Sequence, residues 1–292
     1  MNLLNLIDQI DKADPEFQDR ISPRRDAIKN ITSFGSKVAV AALPFAFATL
    51  FKKAYGATAV LSVTDTLNFA LKLEYLEAAF YNAGAASTTI QAGLSTTEKA
   101  YLTSIQAHEN AHVKFLQGVL GTAAIAQTTQ GTNGTYDFTG GYNTTTNTVT
   151  NTGPFATVMT DSNIFLKVAL AFEDTGVRAY KGAAPNLLGQ QVPLTAALNI
   201  HSVEARHASA IRQLLFARGI TIKPWITGAN DTGVIAVNAN YLGEDNLVQG
   251  GVTVTTLPAV SGTTATIAGQ EAFDEPLDPT TVAGLVAIFG VK

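Results

Sequence analysis

One pattern constrains this chain more than any other. An isoleucine, a glutamate four residues later and a histidine three beyond that occur together twice, as Ile105, Glu109, His112 and as Ile200, Glu204, His207. Each copy is preceded by a segment in which a glutamate stands seven residues before a tyrosine, Glu74 with Tyr81 and Glu173 with Tyr180. The recurrence marks two copies of one two-helix unit. Glutamate and histidine three positions apart lie about 60° apart around a helix and about 4.5 Å along it, so both reach one ion from the same side. A glutamate from each of two helices plus a Glu-x-x-His from each of the other two is the ligand set of two-metal carboxylate bundles. Four carboxylates in an apolar interior are costly unless paired, protonated or neutralised by cations. The pattern therefore points to Glu74, Glu109, His112, Glu173, Glu204 and His207 around two metal ions.

Helix punctuation agrees with this reading. The first helix starts at Ser62-Val-Thr-Asp and ends near Gly84, and the second opens at Ser95-Thr-Thr-Glu98 with capping-box spacing and runs to Gly118 or Gly121. The third follows Asp161-Ser-Asn and ends near Gly182; Pro193 opens the fourth, which stops at Gly219. Residues 121–160 between the two pairs are rich in Thr, Asn and Gly and carry no helical period. The expectation is an all-α, four-helix core over 58–220 with short links within each pair and one long crossover at 121–160, the connectivity of ferritin-like bundles. Residues 221–292 read as an extension with short strands around the VTVTTL segment and a last helix after Asp278-Pro279.

The segments LEYLEAAFY, AHENAH and AFDEPL resemble the ferritin-like superfamily, and within it bacterial ferritin-like domain proteins related to desiccation-associated ones. The resemblance implies a bundle whose core holds two iron or manganese ions.

Several neighbouring residues are further candidates. Glu77 shares a face with Glu74 and is an alternative ligand, but its counterpart in the second copy is Gly176, which favours Glu74. His201, three before Glu204, is a possible extra ligand; its counterpart is Gln106, which favours a supporting polar role. His108 aligns with Val203 and is expected off the metal face. Tyr81 and Tyr180 are candidates for hydrogen bonding to the ligands or for electron relay, set against a plain packing role. Arg178 and Arg206 are candidate partners for the carboxylates if no metal is held.

Bulk chemistry narrows the field. A net charge of −4 leaves no basic surplus for nucleic acid, and the lack of cysteine excludes thiolate ligands, thiol nucleophiles and disulfides. In residues 1–57 the helical spacing of Leu3, Leu6, Ile7 and Ile10 predicts a short amphipathic helix, followed by Arg24-Arg25 with Ile28 and Lys29, an apolar run from Val38 to Phe51, and Lys52-Lys53. This resembles a twin-arginine signal, and the apolar run is shorter than the roughly twenty residues of a membrane span. Export to the periplasm is expected if the segment is cleaved. If it is retained, the protein is cytoplasmic and this segment is its one membrane contact. The expected activity is oxidation of ferrous iron or consumption of oxygen or peroxide in a protective role, by a homo-oligomer. The alternative is a structural or self-assembling protein that uses the bundle as scaffold and its long crossover and tail for contacts between subunits.

Overall fold

A computed structural model of the chain describes residues 61–257 and 265–292. The expectations for residues 1–57 lie outside the described residues. Four long helices make the core: α1 (Val63–Ala86), α3 (Thr96–Leu120), α4 (Ser162–Ala183) and α5 (Gln191–Ala217), with a five-residue helix α2 (Thr88–Ala92) in the first link. The helix α1 packs chiefly on α3, and α4 on α5, which is the pairing the internal repeat implies. No described helix is long and apolar enough to cross a membrane.

The caps act where the sequence places them. The Ser95 hydroxyl accepts from the Glu98 amide at 3.3 Å while Glu98 accepts from the Ser95 amide at 2.7 Å, so two orphan donors at the start of α3 are satisfied reciprocally. Asp161 accepts from the amides of Asn163 and Ile164 at the start of α4. Pro193 falls in the first turn of α5, where its missing N–H leaves no helical bond unmade. The expected glycine stop at Gly84 is displaced: α1 continues to Ala86. A Cβ on Gly84 would stand 2.3 Å from the Phe165 ring, so this glycine serves close approach of α4, whose Phe165 stacks on Phe80 at 4.5 Å.

The crossover contains two single 3-10 turns and two isolated bridges. Asp137 organises it, accepting from the amides of Thr139, Thr150 and Asn151 at 2.8–3.1 Å. The chain's end completes it, because the carbonyls of Ile288, Phe289 and Gly290 accept from Tyr142, Asp137 and Gly131. Beyond α5 the expected strands shrink to a hairpin of β1 (Val248–Gln249) and β2 (Val252–Thr253). Two helices follow, α6 (Ala265–Glu271) and α7 (Pro279–Ala287), the latter capped by Asp278.

Arg178 fastens this extension to α4. Its guanidinium, fully buried, donates to the carbonyls of Glu275 at 2.7 Å, Leu242 at 2.6 Å and Asn240, and lies 2.6 Å from the Glu244 carboxylate. Gly182 is needed there too, since a Cβ would meet the Leu277 carbonyl oxygen at 1.8 Å. Arg178 is thus committed to the extension and Arg206 is exposed, so neither neutralises the glutamates named above.

Candidate metal centre

Each helix delivers its polar residues to one interior region because they share the period of its buried face. On α1, Glu74, Glu77 and Tyr81 are buried at spacings of three and four among Leu71, Ala78 and Phe80. Glu173 and Tyr180 take the matching places on α4, Glu109 is buried on α3, and Glu204 and His207 are buried on α5. Glu74, Glu109, Glu173 and Glu204 are each wholly inaccessible to solvent. His112 retains slight exposure.

Two groups of donors result. Ligand atoms of Glu74, Glu109, His112 and Glu204 lie within 4.8 Å of one another, as do those of Glu109, Glu173, Glu204 and His207. Glu109 and Glu204 belong to both groups, while Glu74 with His112 and Glu173 with His207 form the two ends. Spacing within each helix assigns Glu109 to one group and Glu204 to the other; the geometry instead gives both groups both glutamates. His112 Nδ1 is 3.2 Å from Glu74 Oε2, 3.2 Å from Glu109 Oε2 and 3.4 Å from Glu204 Oε1. His207 Nδ1 is 2.9 Å from Glu109 Oε1 and 3.2 Å from Glu173 Oε2.

The tyrosines cross between the copies. Tyr81 of α1 donates to Glu173 Oε1, and Tyr180 of α4 donates to Glu74 Oε1 at 2.5 Å. Each phenol occupies the oxygen turned away from the histidine and leaves Oε2 to the donor group. Both are buried core residues as well, so packing and ligand support coincide.

Electrostatics show how poorly the carboxylates are compensated by protein alone. Burial pushes the Glu74 carboxyl up to about 7, and Glu77 and Glu204 rise well above the usual carboxylate range through burial and mutual repulsion. Glu173 is raised in the same way. For Glu109, burial is outweighed by the pull of the two imidazoles, a hydrogen bond from His112 and the close approach of His207, which hold it at about 2. Desolvation of the two imidazoles is outweighed in turn by those carboxylates, raising His112 to about 10 and His207 to about 9. Even so, both oxygens of Glu204 and Oε1 of Glu109 have no hydrogen-bond partner among the described residues; His207 stands 2.9 Å from the latter without the alignment of a bond. Orphaned carboxylate oxygens at this depth cost about 1–3 kcal/mol each or more. Divalent cations satisfy such oxygens, and a set of carboxylates and imidazoles without thiolate suits iron or manganese.

Glu77, ranked behind Glu74 from the sequence, is also buried among the glutamates and makes no hydrogen bond among the described residues. Its counterpart is a glycine for a steric reason: a Cβ on Gly176 would stand 2.7 Å from Glu204 Oε2, in the space that carboxylate uses. His201 is not brought in. Its Nδ1 bonds the Val177 carbonyl at 3.0 Å, and it belongs to neither donor group. His108, expected off the face, is exposed yet reaches His207, with its Nδ1 2.9 Å from His207 Nε2 and the rings stacked at 5.2 Å. Nothing in the spacing of α3 signals that contact, which depends on how α3 and α5 are placed side by side.

Comparison with known proteins agrees with this architecture. A family model described as a ferritin-like domain matches residues 62–217, the span from the α1 cap to the end of α5. Neither a curated protein nor a solved structure matches the chain.

Proposed function

This chain belongs to the ferritin-like domain family, and on that premise we propose that its buried cluster holds two iron or manganese ions and oxidises ferrous iron at the expense of oxygen or peroxide. The observation that carries the reading is that Glu204 and Glu109 Oε1, at the point common to both donor groups, have no hydrogen-bond partner among the described residues. Bound iron or manganese supplies one-electron redox chemistry and open coordination positions. The protein's part is placement. Glu109 and Glu204 would hold both ions, Glu74 with His112 would complete one site and Glu173 with His207 the other, and the two phenols fix the carboxylates of Glu74 and Glu173. Burial excludes bulk water from the reacting region. As substrates, two ferrous ions each give up one electron; one peroxide with two protons takes both and leaves as two waters. A protective role follows from removing both reactants at once.

Expected in the assay is faster turnover of ferrous iron with oxygen or peroxide by the wild type than by a Glu109→Ala, Glu204→Ala double variant, followed by ferric absorbance. Equal rates would remove the enzymatic claim.

A further inference from the structure

We propose that His108 is a positioning residue that distinguishes the two ion positions by holding the His207 ring in the tautomer and orientation needed to ligate through Nδ1. The inference rests on the two-metal reading above and adds an inequality between its halves.

The two imidazoles of the cluster are related by the internal repeat but are not supported alike. His207 turns Nδ1 toward Glu109 and Glu173, so this is the nitrogen that faces the second donor group. With that nitrogen engaged, the ring's one remaining proton sits on Nε2. The atom waiting there is His108 Nδ1, at 2.9 Å, and the two rings lie nearly parallel at 13°. A neutral His108 carrying its own proton on Nε2 accepts that bond. His112 also turns Nδ1 to the carboxylates, but the position matching His108 is Val203, which offers neither acceptor nor flat ring. The same repeat that pairs the ligands therefore leaves one of them without this support. Partners of this kind raise ligand basicity and fix ring orientation, and losing one costs about 10–100-fold in metal affinity.

The contact also explains a residue that packing does not require. His108 is exposed on α3, outside the apolar core, and its only hydrogen-bonding neighbour among the described residues is a buried member of the cluster on another helix. Exposed positions tolerate substitution, so variants here report on the site rather than on folding.

The test is calorimetric titration of metal-free protein with Mn²⁺ alone. His108→Phe keeps a flat ring but removes the acceptor, and His108→Asn places an oxygen where Nδ1 stands. Wild type is expected to bind two ions. His108→Phe should weaken one of the two steps by about 10–100-fold, the same step that Glu173→Ala removes, and His108→Asn should restore most of the loss. Unchanged binding by His108→Phe, equal weakening of both steps, or an Asn variant as weak as the Phe variant would each overturn the assignment of His108 while leaving the two-metal site standing. A wild type that takes up no Mn²⁺ would overturn both.

Discussion

Replacing Glu109 by alanine is expected to abolish uptake of both ions, whereas replacing Glu74 removes only one. The difference follows from membership: Glu109 supplies an oxygen to each donor group, while Glu74 supplies one group and stands apart from the other. Glu109 is also the one carboxylate of the set held well below its ordinary range, to about 2, because both imidazoles point at it. It is ionised and aimed before any cation arrives. Equilibrium dialysis against Mn²⁺ with elemental analysis reads the stoichiometry, expected as two for wild type, one for Glu74→Ala and near zero for Glu109→Ala. Stability should follow, since a ligand at a hundred times its dissociation constant stabilises the fold by about 2.7 kcal/mol per site. Manganese should therefore raise the melting temperature of wild type substantially, of Glu74→Ala by less, and of Glu109→Ala hardly at all. Equal losses in the two variants would place the shared position elsewhere.

A second large effect is that metal-free protein loses stability with rising pH while metal-loaded protein does not. In chelator-treated protein Glu74 titrates at about 7 rather than at its ordinary 4.5, so the folded state keeps a proton that the unfolded chain has released. Stability falls as pH rises between those values. Glu77, Glu173 and Glu204, also raised, act with the same sign. The stabilisation that protonated His112 and His207 provide is complete below the unfolded value of 6.5 and disappears as pH rises through about 9 and about 10. All six groups therefore weaken the metal-free fold on going from mildly acidic to alkaline conditions. Each tenfold difference in proton affinity between the folded and unfolded chain is worth ~1.4 kcal/mol. Cations replace those protons on binding, so metal affinity rises over the same range and the loaded protein keeps its stability. Melting curves between about pH 5 and pH 9, with chelator and with excess Mn²⁺, should diverge steadily; parallel curves would mean that these groups do not exchange protons for metal.

Much of this is readable from residues alone because the signals are local. The Ser95–Glu98 capping box, the Asp161 and Asp278 caps and the Glu-x-x-His spacing each lie within one helical turn, where sequence distance and spatial distance are the same thing. The four-helix core follows from them, and the family match over 62–217 agrees with that fold. What cannot be read there depends on contacts between distant segments. His108 and His207 are 99 positions apart, and their meeting follows from the register of α3 against α5. The glycine opposite Glu77 counts against that glutamate in the sequence, yet Gly176 is small because the Glu204 carboxylate lies against it. Arg178 is formally available to the cluster, but the extension offers it three carbonyls and Glu244. That extension and the crossover, which the scaffold reading assigns to contacts between subunits, pack on the bundle itself: Tyr75 donates to the Ile125 carbonyl at 3.0 Å, and Arg178 of α4 donates to the carbonyls of Asn240, Leu242 and Glu275.

Anomalous scattering at the manganese and iron edges from crystals of metal-loaded protein tests the two-metal centre most directly. Two peaks about 3.5–4 Å apart are expected between Glu109 and Glu204, one also against Glu74 and His112, the other against Glu173 and His207. A map with no peak there, in which the glutamates instead share protons with one another and with the two imidazoles, would contradict it.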